Sequence, residues 1–224
     1  MEVTFLNWKL SFERVFFDEP TLATMYDSAA NRWEKSVKRM GYLEAYAQLF
    51  AGLRQTPLLS HLAQNSTILD AGIGTGALSS ALLEHMPDIH LHGVDIAPQM
   101  LTVAQAKLKA EGQFRQASIT ELPYADNSFD MVMSAHVLEH ISDPTRGFHE
   151  VLRILKQGQP FVIVATRVCL VTRVLSLKWN FQPMTENSVT QMLIDAGATQ
   201  INIIPLTQSR KMTRMSLVYT GIKA

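Results

Sequence analysis

Between residues 67 and 77 the chain reads TILDAGIGTGA, an apolar run ending in Asp70, then Gly72, Gly74 and Gly76 at alternate positions, then a helix-forming run. Glycine inside a helix or strand costs about 0.5–1 kcal/mol relative to alanine, so three in five positions mark a turn. The segment therefore reads as strand, tight turn, helix. Such a turn belongs at the carboxyl end of a strand in a parallel sheet, where glycine lets a ligand approach the backbone.

The residues that follow repeat the same unit. Thr67–Asp70, His90–Asp95, Phe114–Ala117, Phe129–Ser134 and Pro160–Ala165 are short apolar runs, with helical segments at Ala77–Met86, Pro98–Ala110 and Pro144–Lys156 between them. Runs that are continuously apolar, alternating with helices, describe a parallel sheet covered on both faces. A helix over Asn187–Ala196 and two runs, Gln200–Leu206 and Met215–Ile222, complete the chain; the two runs are expected to pair antiparallel at one edge. Ahead of residue 66 the period is helical instead. Tyr26, Ala29, Ala30, Trp33, Val37 and Met40 share one face, capped by Asp27 or Ser28 and ended by Gly41, and Leu43, Tyr46, Leu49, Phe50 and Leu53 share another. The expected fold is α/β, a doubly wound, mostly parallel seven-stranded sheet with an antiparallel last strand and an N-terminal helical cap. It forms one domain, with residues 1–65 as cap, 66–224 as core and 166–185 inserted as a lid.

Charge narrows the partners. Twenty Lys+Arg balance twenty Asp+Glu, which gives no basic surplus for nucleic acid. Charged residues are only 18%, against about 25% in typical domains, so some apolar surface is expected to line a pocket or interface. The single Cys169 excludes an internal disulfide and a cysteine-built zinc site. The N-terminal MEVTFLNWKL lacks a signal-peptide pattern, and no uncharged apolar stretch approaches the roughly 20 residues of a membrane span. The expectation is a cytoplasmic protein with a small-molecule substrate and no nucleic-acid partner. A homodimer and peripheral membrane contact both stay open.

Two carboxylates refine the ligand. Asp95 ends the second strand, 23 positions after Gly72, where nucleotide-binding folds place the acid that accepts from ribose hydroxyls. Asp70, two residues ahead of the first glycine, would repel a pyrophosphate and suits a ligand with an ammonium group. With the segments GVDIAPQML, ELPYADNSFDMVMSAHVLEHISDP and EVLRILKQGQPFVIVA following in order, the chain resembles the class I S-adenosylmethionine-dependent methyltransferases over roughly residues 66–165. The resemblance implies S-adenosylmethionine as cofactor. Asp70, Gly72, Gly74 and Gly76 would hold its methionine end, Asp95 its ribose, and Ile96, Met100 and Ile119 its adenine, with Ala135 near the sulfonium. Tyr26, in the pattern Tyr-Asp-Ser-Ala-Ala, would close over it. Ser118 stands where the family often has an Asp that accepts from the adenine amine, and KQGQP replaces the common K-P-G-G turn.

His136-x-x-Glu139-His140 admits several readings. H-x-x-E-H is an inverted zinc-peptidase signature, but it follows the fourth strand here rather than a peptidase helix. Ubiquinone-pathway and small-RNA methyltransferases carry a similar E-x-x-E-H that binds a divalent metal; His136 replaces the first Glu, and the expectation is no metal. His136 is then a candidate general base or a polar wall residue at the acceptor. Trp33, His140, Arg167 and Trp179 are candidate acceptor contacts, the last two because residues 166–185 are too long for an ordinary connection. The resemblance implies methyl transfer to a small, largely apolar acceptor. Its rivals are a cofactor-binding sensor or partner subunit, and a nicotinamide-dependent oxidoreductase on a similar sheet.

Overall fold

Two of the strand-turn-helix units just described fix the middle of the sheet, and the remaining elements pack outward from them. The computed structural model describes residues 2–5, 8–11, 17–60, 62–108, 112–179, 181–206 and 213–224, leaving aside the side chains of residues 2–5, 8–11, 31 and 177–179. It opens with an antiparallel ribbon, β1 (Glu2–Phe5) and β2 (Trp8–Ser11), which the helical reading of the cap did not anticipate. Three helices follow, α1 (Glu19–Met40), α2 (Tyr42–Leu53) and the single turn α3 (Pro57–Ser60). The core then runs β3 (Thr67–Ala71), α4 (Ala77–Leu83), β4 (His90–Asp95), α5 (Pro98–Leu108), β5 (Gln113–Gln116) and β6 (Met131–Ala135). It continues through α6 (Pro144–Ile154), β7 (Pro160–Thr166), α7 (Leu170–Trp179), α8 (Glu186–Asp195), β8 (Ala198–Pro205) and β9 (Ser216–Lys223).

The seven core strands lie in the order β5-β4-β3-β6-β7-β9-β8, with β9 antiparallel to both its neighbours. The sheet is thus the expected one, and β3 sits at its switch point with β4 on one side and β6 on the other. Side-chain alternation builds a core on each face. Leu69, Ala71, Val132, Phe161 and Ile163 pack with Phe148, Val151 and Leu152 of α6 and with Val189 and Leu193 of α8. The intervening Ile68, Met131, Met133, Val162 and Val164 pack with Leu78 and Leu82 of α4 and with Leu49 and Phe50 of α2. One strand therefore feeds two cores, which is why these runs read as continuously apolar.

Helix α1 begins earlier than its period implied. Its N-cap is Asp18, whose carboxylate accepts the Thr21 N–H at 2.9 Å, rather than Asp27 or Ser28. The apolar face extends back to Leu22, so the repeat from Tyr26 to Met40 missed only the first part of the helix. Gly41 ends it in the left-handed region, φ 84°, as expected, and turns the chain directly into α2. The other boundaries moved by short distances. Strand β6 starts at Met131 because Phe129 makes only an isolated bridge to Leu155, and that bridge also ends α6 before Lys156.

Helix α1 docks on α5 through Ala30, Ala97 and Met100, with Tyr26 and Trp33 partly buried beside them. Helix α7 lies within the 166–185 insertion and turns Leu170, Val171 and Val174 outward, Leu170 being 81% exposed. Among the described residues no helix is long and apolar enough to cross a membrane.

Phe148 is fully buried between α6 and the sheet. Phe148→Ala should lower the unfolding free energy by about 3–5 kcal/mol, read from urea or guanidinium midpoints. A loss below about 1 kcal/mol would mean that the α6 layer contributes little to global stability.

Candidate functional site

The carboxyl ends of β3, β4 and β6 open on one cavity of about 350 Å³, roofed by α1, the start of α2 and α7. Its floor is the glycine turn. Gly72 and Ile73 donate their N–H groups to Val94 O at 2.8 and 2.9 Å, which ties the turn to the neighbouring strand. Gly72, Gly74 and Gly76 have φ of 80°, 53° and 75°, the region that favours glycine. Their surroundings differ. A Cβ on Gly72 would lie 2.2 Å from Val137 Cγ2, and one on Gly76 2.9 Å from Leu108 Cδ1, whereas one on Gly74 would meet nothing within 4 Å. Gly72 and Gly76 are thus constrained by packing, and Gly74 faces the open cavity. Gly76 caps α4 and is not among the lining residues.

Two acids stand beside this floor. Asp70 is buried and accepts the Ser79 hydroxyl at 2.6 Å. Burial raises its pKa to about 7, against the Ser79 hydrogen bond and with help from the charge of Asp95. Asp95 accepts the Gly74 N–H at 2.8 Å through one oxygen and the Ala97 N–H at 2.9 Å through the other. Burial raises it to about 6, opposed by those backbone bonds and aided by Asp27. A buried and a half-buried carboxylate with elevated pKa values, lining the cavity with no cation beside them among the described residues, suit a ligand that brings positive charge and hydroxyl donors.

The next wall is apolar. Ile96, Met100, Ala117 and Ile119 line it, with Ser118 at its end. The Ser118 hydroxyl donates to Glu19 Oε1, at the first residue of α1, and Thr120 reaches the same carboxylate at 3.3 Å. A carboxylate therefore does stand at this position, supplied by the cap rather than by the strand. Sequence reasoning missed Glu19 because it read the helix as starting later.

At the far end lies the His136 loop. His136 adopts φ 58°, an uncommon conformation for a residue with a side chain, and its N–H donates to Val164 O at 2.8 Å. Its Nδ1 lies 3.0 Å from Glu139 Oε1 and 3.1 Å from Thr166 Oγ1, and its Nε2 lies 3.3 Å from Ser216 Oγ. Glu139 is 2% exposed; Oε1 also accepts the Thr166 hydroxyl at 2.7 Å and N–H at 3.1 Å, while Oε2 is buried with no hydrogen-bond partner. Burial alone would raise this acid. The His136 hydrogen bond, the charges of His136 and His140, and the Thr166 hydroxyl outweigh it and hold Glu139 at about 2. His140 turns the other way, its ring nitrogens 3.2 and 3.3 Å from the Tyr26 hydroxyl. Residues 138–140 form a turn after β6, and among the described residues no His, Cys, Asp or Glu group of metal-binding kind gathers.

Leu22, Trp33, Val37, Met40, Leu175, Phe181 and Met215 complete the roof, together with Tyr26, Tyr42 and Tyr46. Of the candidate acceptor contacts, Trp33 and His140 line the cavity. Arg167 does not: its side chain is exposed, because its N–H is committed to Met215 O at the rim. The Trp179 side chain lies outside the described residues. Tyr42, Thr166 and Ser216 carried no sequence signal; they meet His136 only because the fold brings α2, β7 and β9 together.

Residues 69–163 match a family model described as a methyltransferase domain. The demethylmenaquinone methyltransferase of Porphyromonas gingivalis is 31% identical over 119 residues, 50% of this chain and 46% of that protein. The ubiquinone/menaquinone biosynthesis C-methyltransferase of Desulfotalea psychrophila is 26% identical over 165 residues, 72% of this chain and 65% of that one. The chain spans about half the length of the curated relatives it matches. Among solved structures, the magnesium protoporphyrin IX methyltransferase of Synechocystis with bound SAH superposes with a TM-score of 0.71 at 17% identity, covering 92% of this chain and all of that one.

The glycine geometry predicts an order of effects. Gly72→Ala should lower the thermal midpoint more than Gly74→Ala, because only the first adds a steric clash to the unfavourable φ. Val137→Ala should recover part of the Gly72→Ala loss. Equal midpoints for the two glycine variants would mean that Val137 moves aside at no cost.

Proposed function

We propose that this protein, which belongs to the class I S-adenosylmethionine-dependent methyltransferases, transfers the methyl group of S-adenosylmethionine to a small, largely apolar acceptor. The observation that carries this reading is one continuous cavity with two unlike ends. At one end Asp70, Asp95 and the unobstructed Gly74 form a cradle for a cationic nucleoside ligand, and the other end is an apolar chamber with a histidine in its wall. When bound, S-adenosylmethionine supplies a methyl group already activated on a sulfonium sulfur. The protein then has to align the acceptor, exclude water and accept a proton.

In this reading Asp70 and the turn from Gly72 to Gly76 hold the amino-acid end, and Asp95 holds the ribose hydroxyls. Ile96, Met100 and Ile119 enclose the adenine, and Ser118 with Glu19 takes its amine. Ala135 lies nearest the sulfonium, Tyr26 covers the cofactor, Trp33 and His140 meet the acceptor, and His136 is the base. Residues 166–185 serve as a lid, since Thr172 and Leu175 of α7 line the cavity while the opposite face of α7 is exposed. Incubation of the protein with methyl-labelled S-adenosylmethionine and a small-molecule and lipid extract of cells tests the activity. A labelled product is expected; bound cofactor with no labelled product would make the protein a sensor instead.

The raised acids set the pH dependence of binding. An ammonium ligand favours ionised Asp70, so below about pH 7 the complex holds fewer protons than the free protein. Affinity for S-adenosylhomocysteine should therefore rise with pH through about 6 and 7, the Asp95 and Asp70 values, and then level off. Without ligand the sign reverses. Both folded-state values lie above the ordinary carboxylate range, so their stability contribution is complete below that range and is lost as pH rises through about 6 to 7. Calorimetry from about pH 5.5 to about 7.5 reads the first effect, and Asp70→Asn should flatten it. Affinity that does not change with pH would remove Asp70 from the ammonium site. Glu19→Ala should weaken the same ligand without altering the pH slope; unchanged affinity would leave Glu19 a structural partner of Ser118.

A further inference from the structure

Both ring nitrogens of His136 are already engaged, so a base at this position receives a proton through a neighbour. The direction of that traffic follows from one group. The Thr166 hydroxyl donates to Glu139 Oε1 at 2.7 Å and so spends its single hydrogen there. Thr166 Oγ1 then has no hydrogen for His136 Nδ1, and Nδ1 must carry its own, shared between Glu139 at 3.0 Å and Thr166 at 3.1 Å. In a neutral ring this leaves the lone pair on Nε2. Ser216, fully buried and 3.3 Å from Nε2, must donate to it, and the Tyr42 hydroxyl, 3.1 Å from Ser216, must donate in turn to Ser216. Thr166 and Ser216 are register partners on β7 and β9, so the strand pairing itself sets the imidazole between them. Tyr42 lines the cavity and packs edge-on against the His136 ring at 5.1 Å.

We propose that Tyr42 and Ser216 form a one-way proton path from the cavity to Nε2 of His136, whose Nδ1 is held by Glu139, with the Tyr42 hydroxyl as the catalytic group that meets the acceptor. This rests on the methyl-transfer reading above. The path is built for an acceptor with an O–H to lose, of the phenol or enol class. As the acceptor gains its bond to the methyl carbon and the methyl–sulfur bond breaks, its O–H proton passes to Tyr42. The Tyr42 proton passes to Ser216 and the Ser216 proton to Nε2. Sulfonium, acceptor and neutral imidazole become thioether, methylated acceptor and imidazolium, so charge is conserved, and the imidazolium is paired with Glu139. Ser216 and Glu139 are positioning residues.

The test begins with nitrogen-15 NMR of histidine-labelled protein saturated with S-adenosylhomocysteine, the His136 signals being assigned by their loss in His136→Gln. The neutral ring should show a protonated Nδ1 and a bare, hydrogen-bonded Nε2, and Ser216→Ala should shift Nε2 alone. A proton on Nε2 in the neutral ring would overturn the path while leaving the methyl-transfer reading intact. Failure of the wild-type protein to bind S-adenosylhomocysteine would sink that reading, and the ring measurement would then be made on the ligand-free protein. Tyr42→Phe keeps the ring and its packing. With the acceptor found by label transfer, it should lower kcat about 10²–10⁴-fold and reduce the solvent deuterium isotope effect, with S-adenosylhomocysteine affinity unchanged. Ser216→Ala should do the same. Retained kcat in Tyr42→Phe would overturn the proposal.

Discussion

Asp95 accepts the N–H of Gly74 through one carboxylate oxygen and that of Ala97 through the other, so one half-buried side chain laces together the turns that leave β3 and β4. It adds to the Gly72 and Ile73 N–H bonds to Val94 O that already tie the glycine turn to β4. The bond carries an electrostatic consequence. Burial makes this carboxylate resist ionisation, and the two backbone donors only partly offset that resistance. The group that organises the site is therefore also one that gains from a ligand offering further donors.

The same logic explains why the cap helix is part of the site. Asp27 of α1 accepts the N–H of Gln99 at 2.9 Å, and Glu19 at the start of the helix reaches Ser118 and Thr120. Tyr26 meets His140, and Ala30 packs with Ala97 and Met100. Glu19, Tyr26, Asp27 and Ala30 of one helix thus contact the loops after β4, β5 and β6. A displacement of α1 would open the wall of Ile96, Met100 and Ile119 and the His136 end of the cavity together.

These contacts also mark what the sequence could reveal. The glycine turn, Asp70 and Asp95 are local: strand, turn and acid lie within a few residues, and their spacing is set by backbone geometry. The central strands β3, β6 and β7 were legible for a related reason, since burial on two faces imposes continuous apolar runs such as those ending in Asp70 and beginning at Pro160. The start of α1 was not, because Asp18 and Pro20 signal a helix only when read together with an apolar face that reaches Leu22. The environment of His136 was hidden for a deeper reason. Thr166 and Ser216 are fifty positions apart, and only the pairing of β7 with β9 sets them on either side of one ring. Arg167, one residue beyond Thr166, faces solvent, because neighbouring residues on an extended chain point to opposite sides.

The cavity holds two buried acids, Asp70 and Glu139, and a half-buried one, Asp95, with opposite fates, and the contrast orders its chemistry. Asp70 and Asp95 are raised to about 7 and about 6 by burial, while Glu139 is held at about 2 by two histidines and Thr166. Among the described residues the first pair faces no cation, and the third has His136 and Thr166 on Oε1. On the methyl-transfer reading proposed above, a cationic cofactor would be drawn to the glycine-turn end, where it meets two carboxylates with raised pKa values. It would gain less at the His136 end, where Glu139 already has His136 and Thr166 as partners. That asymmetry would keep the cofactor's charged end away from His136. Orientation in this cavity is then a property of where charge is left unbalanced, and it is established by residues that need not touch the transferred methyl group.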